Sequence, residues 1–158
     1  MKICGIDAST KKTGIALLKD EKLIEYRLLD FSREKDLDKR MREMCLGIND
    51  LLNYYNPNLI LCEDVWLSSN PNTAKTLARL GGAIYMWAVL KNKDFKYLIP
   101  SNWRAIIGLK TGKIKREELK KMAVQKVKSD YGINVTDDIA EAILIGASGF
   151  VEQEELFE

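Results

Sequence analysis

Three short apolar runs at the start of the sequence have the length and spacing of β-strands. They cover residues 3–7, 14–19 and 23–30, and a polar segment joins the first two. Runs of this length, separated by polar turns, are typical of strands that pair with their sequence neighbours. The pattern therefore predicts an antiparallel meander of three strands.

A helix is predicted next, because apolar residues recur at spacings of three and four. They are Leu37, Met41, Met44, Ile48, Leu51 and Leu52. Ser32 is the predicted N-cap, and Asn56-Pro57-Asn58 ends the helix because proline cannot continue it. Residues 59–63 are then apolar up to a final acid, as expected of a strand covered on both faces.

The second half of the sequence alternates helices with one more strand. Asn70-Pro71 begins a helix that continues to about Leu90, and residues 95–99 form a short strand ended by Pro100. A connection containing Trp103, Gly108 and Gly112 leads to a basic helix over about residues 115–128. Thr136 or Asp137 caps a last, apolar helix.

This element order predicts an α/β protein of the RNase H-like class. Its sheet would be five-stranded and mixed, with three antiparallel strands followed by parallel additions and flanked by helices. Residues 1–158 contain no linker or repeat, so we expect a single domain with an acidic tail over about residues 152–158.

Four acids stand at the tips of these predicted elements. Asp7 closes the first strand and Glu63 the fourth, while Asp138 and Glu141 lie three residues apart at the start of the last helix, on one face. Acids beside an apolar core need a partner or a cation, so the four together predict a divalent-metal site. Singly, each has a structural interpretation: a turn residue, an ion-pair partner or a first-turn acid.

Composition restricts the chemistry. The sequence contains no histidine, which removes the commonest zinc ligand and general base. Cys4, Cys45 and Cys62 lack metal-ligand spacing and are interpreted as reduced core thiols. No apolar run approaches the roughly 20 residues of a membrane span, and Met1-Lys2 leads directly into a strand without a secretory leader. We therefore expect a cytoplasmic protein.

Positive charge is concentrated ahead of the last acidic pair. Between Lys110 and Lys128 lie seven lysines and Arg116, against only Glu117 and Glu118. A solvated helix face would account for such a run, but its position also suits phosphate binding.

The same residues resemble a known family, the RuvC-type Holliday junction resolvases. Residues 3–14 are similar to its opening strand, loop and strand, and Glu63 with Trp66 resembles its apolar strand, acid and following aromatic. Residues 70–83 resemble its dimerisation helix, Gly108 with the lysines after it resembles its basic segment, and Asp138-Ile139-Ala140-Glu141 stands at its final acid pair. The likeness suggests a divergent or phage-encoded member.

The resemblance implies a homodimeric, metal-dependent endonuclease that cleaves Holliday junctions or other branched DNA. Asp7, Glu63, Asp138 and Glu141 would be its catalytic metal ligands, holding two Mg²⁺ ions per site with Mn²⁺ as a substitute. Glu141 departs from the family, which more often has Asp there. The residues expected to bind DNA are Lys110, Lys113, Lys115, Arg116, Lys12, Asn70 and Trp66.

Two further features leave alternatives open. Trp66 would stack on an unpaired base or pack on its own domain. Gly81 and Gly82, with Leu77, would lie at a dimer interface, because mid-helix glycines indicate close approach of another backbone; packing on the domain's own sheet is the alternative.

Three competing functions also remain open. One is an RNA-processing nuclease of the same fold, and another is a non-catalytic nucleic-acid-binding module. The third is a sugar-kinase or actin-like enzyme, which residues 5–10 resemble, but such enzymes need a second domain.

Overall fold

A five-stranded mixed sheet organises the protein, with strand order β3-β2-β1-β4-β5. The computed structural model describes residues 1–65 and 70–155, except for the side chains of residues 152–155. The strands are β1 (Lys2–Asp7), β2 (Lys12–Lys19), β3 (Lys22–Asp30), β4 (Leu59–Glu63) and β5 (Asp94–Leu98). The helices are α1 (Leu37–Tyr55), α2 (Pro71–Leu90), α3 (Pro100–Ile106), α4 (Arg116–Tyr131) and α5 (Asp137–Glu155).

The strand directions confirm the predicted topology. β1, β2 and β3 pair antiparallel, whereas β4 joins β1 in parallel and β5 joins β4 in parallel. The first strand therefore lies at the centre of the sheet beside the fourth. Both faces of the centre are covered, which explains why β1 and β4 are apolar without alternation.

Two hydrophobic cores lie on the opposite faces of this sheet. One contains Ile3 and Leu61 with residues of α4 and α5, and the other contains Cys4 and Ile60 with residues of α1 and α2. Successive strand residues point to opposite faces, so each central strand contributes to both cores.

Glycines allow α5 to lie directly on the sheet. A Cβ atom on Gly5 would stand 2.1 Å from the Ala142 carbonyl oxygen, and one on Gly14 would stand 2.1 Å from the Asp138 carbonyl oxygen. No side chain fits at such distances, so the first turns of α5 are held against β1 and β2 at backbone contact. This contact places the acids of α5 above the end of β1.

The predicted start of α1 was wrong. Ser32 is not its N-cap, because the Ser32 backbone N–H and hydroxyl both donate to Asp30 Oδ1, at 3.0 and 2.6 Å. The N-cap is Asp36, whose carboxylate accepts from the Lys39 backbone N–H at 2.9 Å. Asn56, with φ of 45°, ends the helix as predicted.

The connection predicted after β5 contains a helix instead. Pro100 takes the first position of α3, where its fixed φ suits a helix and its missing N–H costs nothing. β5 itself begins and ends one residue earlier than predicted, and the basic helix α4 extends to Tyr131, where Gly132 with φ of 70° ends it.

The two glycines of α2 have different surroundings. A Cβ atom on Gly81 would stand 3.3 Å from the Tyr97 ring of β5, so this glycine packs on the domain's own sheet, whereas one on Gly82 would meet open space. Leu77 is half-buried. None of the helices in the described ranges combines the length and apolarity that a bilayer crossing requires.

Candidate metal and DNA site

The structure brings all four predicted acids to one edge of the sheet. Ile6 of β1 lies opposite Cys62 of β4, so the next residues, Asp7 and Glu63, leave parallel strands side by side. α5 crosses above them and contributes Asp138 and Glu141. The charges of all three other acids act on Asp7, which is the centre of the group.

Burial and mutual repulsion perturb the acids. The pKa of Asp7 is raised well above its ordinary value, first by burial and then by the charges of Glu141, Glu63 and Asp138. Burial also raises the pKa of Glu63, Glu141 and Asp138, the last being the most open to solvent. The group therefore favours protons, and would favour cations for the same reason.

Protein donors occupy part of this acidic group. Arg104 Nη2 lies 3.4 Å from Glu141 Oε1. Trp103 Nε1 donates to Glu63 Oε2 at 2.9 Å. No three acidic or cysteine side chains in the described residues form a ready set of metal ligands.

Trp103, Arg104 and Lys120 are neighbours of the acids that sequence reasoning missed. The sequence pattern placed Trp103 only in the connection before the basic helix, whereas in the structure its side chain is fully buried. The sequence signal for this position was Pro100, which often begins a helix. Because β5 pairs with β4, a helix that begins after β5 brings residues 103 and 104 to the edge of the sheet that carries Glu63. Lys120 pairs with Asp137 at 2.6 Å, next to Asp138.

The predicted DNA-binding residues divide into three groups. Arg116 and Lys12 lie near the acids, since the charges of both act on Asp138. Lys110, Lys113 and Lys115 are exposed on the segment between α3 and α4.

The remaining two predicted DNA contacts are Asn70 and Trp66. Asn70 caps helix α2, accepting from the backbone N–H groups of Asn72 and Thr73 at 3.1 and 3.3 Å. Its role at DNA therefore stays a prediction beside an observed structural one. Trp66 lies outside the described residues.

A family model supplies the deciding comparison. The description of that family is "Crossover junction endodeoxyribonuclease RuvC", and the match covers residues 3–147. The chain belongs to the RuvC family. It is therefore an endodeoxyribonuclease of the RuvC type.

Individual RuvC proteins agree with this assignment. The chain is 30% identical to the RuvC of Campylobacter concisus, over 90% of this chain and 94% of that protein. It is 26% identical to the RuvC of Dictyoglomus thermophilum, over 98% and 99% of the two chains.

Solved structures share the fold at lower identity. Thermus thermophilus RuvC in complex with a Holliday junction matches with a TM-score of 0.79 and 14% identity, over 98% of this chain and 96% of that chain. The yeast mitochondrial Holliday junction resolvase matches with a TM-score of 0.61 and 16% identity, over 98% and 81%. The predicted RNase H-like architecture is thereby confirmed.

Proposed function

We propose that this protein is a metal-dependent nuclease that resolves four-way DNA junctions. The observation that carries the proposal is that acids from β1, β4 and α5 converge on Asp7. Among the described residues, Arg104 is the only cationic side chain that contacts an acid of this group. So much negative charge at a half-buried edge is stable only with protons or added cations. The proposed ligands are Asp7, Glu63, Asp138 and Glu141.

The donor set fits Mg²⁺ or Mn²⁺. All four side chains offer carboxylate oxygen, the ligand that hard divalent ions prefer, and the chain has no histidine to recruit zinc. We propose two ions per site. When bound, they would supply activation of water and stabilisation of the negative charge on the scissile phosphate and leaving oxygen.

Basic residues around the acids would hold the DNA backbone. Arg116 and Lys12 are near enough to Asp138 to place a phosphate beside it, and the exposed Lys110, Lys113 and Lys115 would bind phosphates further along the strand. Trp66 and Asn70 remain proposed contacts at the opened junction.

A homodimer is proposed on the exposed face formed by α1 and α2. Leu90, Leu46 and Met86 are 75%, 64% and 56% exposed there, although large apolar residues normally avoid water. A groove of about 260 Å³ between the two helices, lined by Leu80 and Ile84 among others, gives a partner side chain a place to pack. Gly82 opens onto solvent on α2 and fits an interface better than Gly81, which packs against Tyr97.

We further propose that the protein acts in the cytoplasm. Cys4 and Cys62 are unpaired and buried, and burial raises the pKa of both thiols, which keeps them protonated.

Cleavage of a labelled four-way DNA junction tests the proposal. Wild-type protein in Mg²⁺ is expected to cut two opposed strands of the same polarity, while Glu63→Gln binds the junction without cutting it. Glu25→Gln, a change of the same kind on β3 away from the site, is the matched control and should cut normally.

Two results would contradict the proposal in different ways. A wild-type protein that binds junctions but leaves every strand intact in both Mg²⁺ and Mn²⁺ would refute the nuclease. Equal cleavage by Glu63→Gln and wild type would refute the ligand assignment alone. Faster cleavage of an RNA hairpin than of the DNA junction would redirect the substrate to RNA.

A further inference from the structure

Helix α3 places two adjacent residues against two different acids of the site. Trp103 Nε1 donates to Glu63 Oε2 at 2.9 Å, and Arg104 Nη2 reaches Glu141 Oε1 at 3.4 Å. These acids come from β4 and α5, so one short helix contacts both sides of the proposed metal site.

The Trp103 contact is rigid because of burial. Its side chain is fully buried in the core shared by the sheet, α4 and α5, so the indole has no room to turn. A buried indole N–H requires an acceptor, and the acceptor here is a single carboxylate oxygen. The hydrogen bond uses one carboxylate oxygen of Glu63 and fixes the orientation of the carboxylate, so that the other oxygen could bind a cation.

Arg104 restrains a second acid of the site, Glu141. Its guanidinium carbon lies 4.5 Å from the centre of the Trp103 ring, and its side chain and that of Glu141 are each only 11% exposed. The planar guanidinium thus stacks on the indole while pairing with Glu141. Glutamate side chains have several rotatable bonds, so holding two of them lowers the entropy lost when they bind a cation.

We propose that Trp103 is a positioning residue that fixes Glu63 for metal binding, with Arg104 stacked on it to hold Glu141. This inference rests on the proposed metal site. Loss of an outer hydrogen-bond partner of a metal ligand typically weakens metal binding by about 10-fold or more, whereas DNA affinity need not change.

Trp87 provides a matched control for removing the indole N–H. Like Trp103 it is a buried tryptophan, and its Nε1 donates to Asn53 Oδ1 at 3.0 Å, between α2 and α1 and away from the acids. Trp103→Phe and Trp87→Phe therefore remove the same donor group and a similar volume. Only the first removes a contact to a proposed metal ligand.

Both variants and wild type would be compared for the Mg²⁺ concentration that gives half-maximal junction cleavage, and for Mn²⁺ binding by electron paramagnetic resonance without DNA. Trp103→Phe is expected to raise the half-activating Mg²⁺ concentration and the Mn²⁺ dissociation constant by roughly 10-fold, and Trp87→Phe to change them less than about twofold. The KM for the junction should be unchanged in Trp103→Phe; because Trp87 lines the groove between α1 and α2, its variant serves as the control for Mn²⁺ binding. Equal metal requirements in the two variants would overturn the inference.

A second measurement on unaltered Trp103 covers the case in which Trp103→Phe does not fold. The chain has three tryptophans, so Trp66→Phe and Trp87→Phe assign the three indole N–H signals of the ¹⁵N spectrum. Adding Mg²⁺ without DNA should shift the Trp103 signal and leave the Trp87 signal in place. A Trp103 signal that stays still across the activating range of Mg²⁺ would overturn the inference.

Failure of the proposed function is distinguishable from failure of this inference alone. If wild type neither binds Mn²⁺ nor cleaves, the metal site is wrong and the role of Trp103 is wrong with it. If wild type binds and cleaves while the Trp103 variant and signal behave like those of Trp87, only the inference is wrong.

Discussion

At Asp7, the requirements of stability and of the proposed metal chemistry oppose each other. Asp7 ends the central strand, and burial and three neighbouring acids raise its pKa. A carboxylate in this position opposes folding, because the folded protein favours its protonated form. The same repulsion would make the site receptive to divalent cations.

Replacing Asp7 with Asn should therefore stabilise the metal-free protein while abolishing cleavage. The raised pKa means that Asp7 contributes stability below its unfolded pKa, and that this contribution is lost as pH rises through the folded pKa. Asn imitates the protonated form at every pH. At neutral pH the free energy of unfolding of the metal-free Asp7→Asn protein should therefore exceed that of wild type.

Urea unfolding with and without Mg²⁺ measures this effect. Mg²⁺ should stabilise wild type and leave the Asp7→Asn protein unchanged. Asp50→Asn, on the exposed face of α1, is the control and should alter neither value appreciably. A destabilised Asp7→Asn protein would contradict the expectation.

The raised pKa values of the site acids also predict how activity depends on pH. Protons and metal ions would compete for Asp7 and Glu141, because burial raises the pKa of both carboxyls. Cleavage should rise with pH on the acid side, and the midpoint of that rise should move to lower pH as Mg²⁺ increases. Rate profiles at two Mg²⁺ concentrations test this; coincident midpoints would show that the acids do not titrate with metal binding.

Among the elements, α5 determines the geometry of the site, because its contact with the sheet leaves no free space. Gly14 lets the Asp138 carbonyl approach β2, and Gly5 does the same for Ala142 on β1. Any side chain at these positions would push the helix and its two acids away from Asp7 and Glu63.

Gly14→Ala should for that reason cost stability and cleavage together. Overpacking typically costs about 1–3 kcal/mol, and a displacement against backbone should reach the upper end of that range. Gly82→Ala is the matched control for stability, since the added methyl meets open space within the chain and alanine favours a helix by up to about 1 kcal/mol. Thermal unfolding would be measured for both variants, and junction cleavage for Gly14→Ala and wild type; an active, stable Gly14→Ala protein would contradict this description of α5.

Local pattern was sufficient to predict some elements and not others. The apolar runs that end in Asp7 and Glu63 predicted both strands, because a strand that is buried on two faces is apolar at every position and is visible as a continuous run. Helix α3 was missed since its seven residues are too few to display helical periodicity, and the contact of Trp103 with Glu63 depends on β5 lying beside β4. Ser32 was misassigned because its hydroxyl donates to Asp30 and does not accept from a backbone N–H of α1.

At the scale of the whole molecule, helices α1 and α2 expose large apolar side chains to solvent. Leu46, Val89 and Leu90 are each more than half exposed. If two copies bury this face, their two acidic sites belong to one particle and can act on both strands of one junction.

Leu90→Asp should convert the proposed dimer into a monomer and abolish paired cleavage. A charge placed in an apolar interface loses its hydration without a partner, so association weakens strongly. Ile24→Asp, also on an exposed apolar residue but on the edge strand β3, is the control and should stay dimeric. Analytical ultracentrifugation gives the mass of each variant; a dimeric Leu90→Asp protein would move the interface elsewhere.

The contact of α5 with β1 also has a consequence for folding kinetics. Asp7 and Asp138 are separated by nearly all of the described chain, and contacts between such distant segments form slowly because a long loop must close first. A chain in which the sheet has formed but α5 has not yet docked holds only Asp7 and Glu63, half of the proposed ligands. Nuclease activity should therefore appear at the last step of folding, after far-ultraviolet circular dichroism reports a formed sheet.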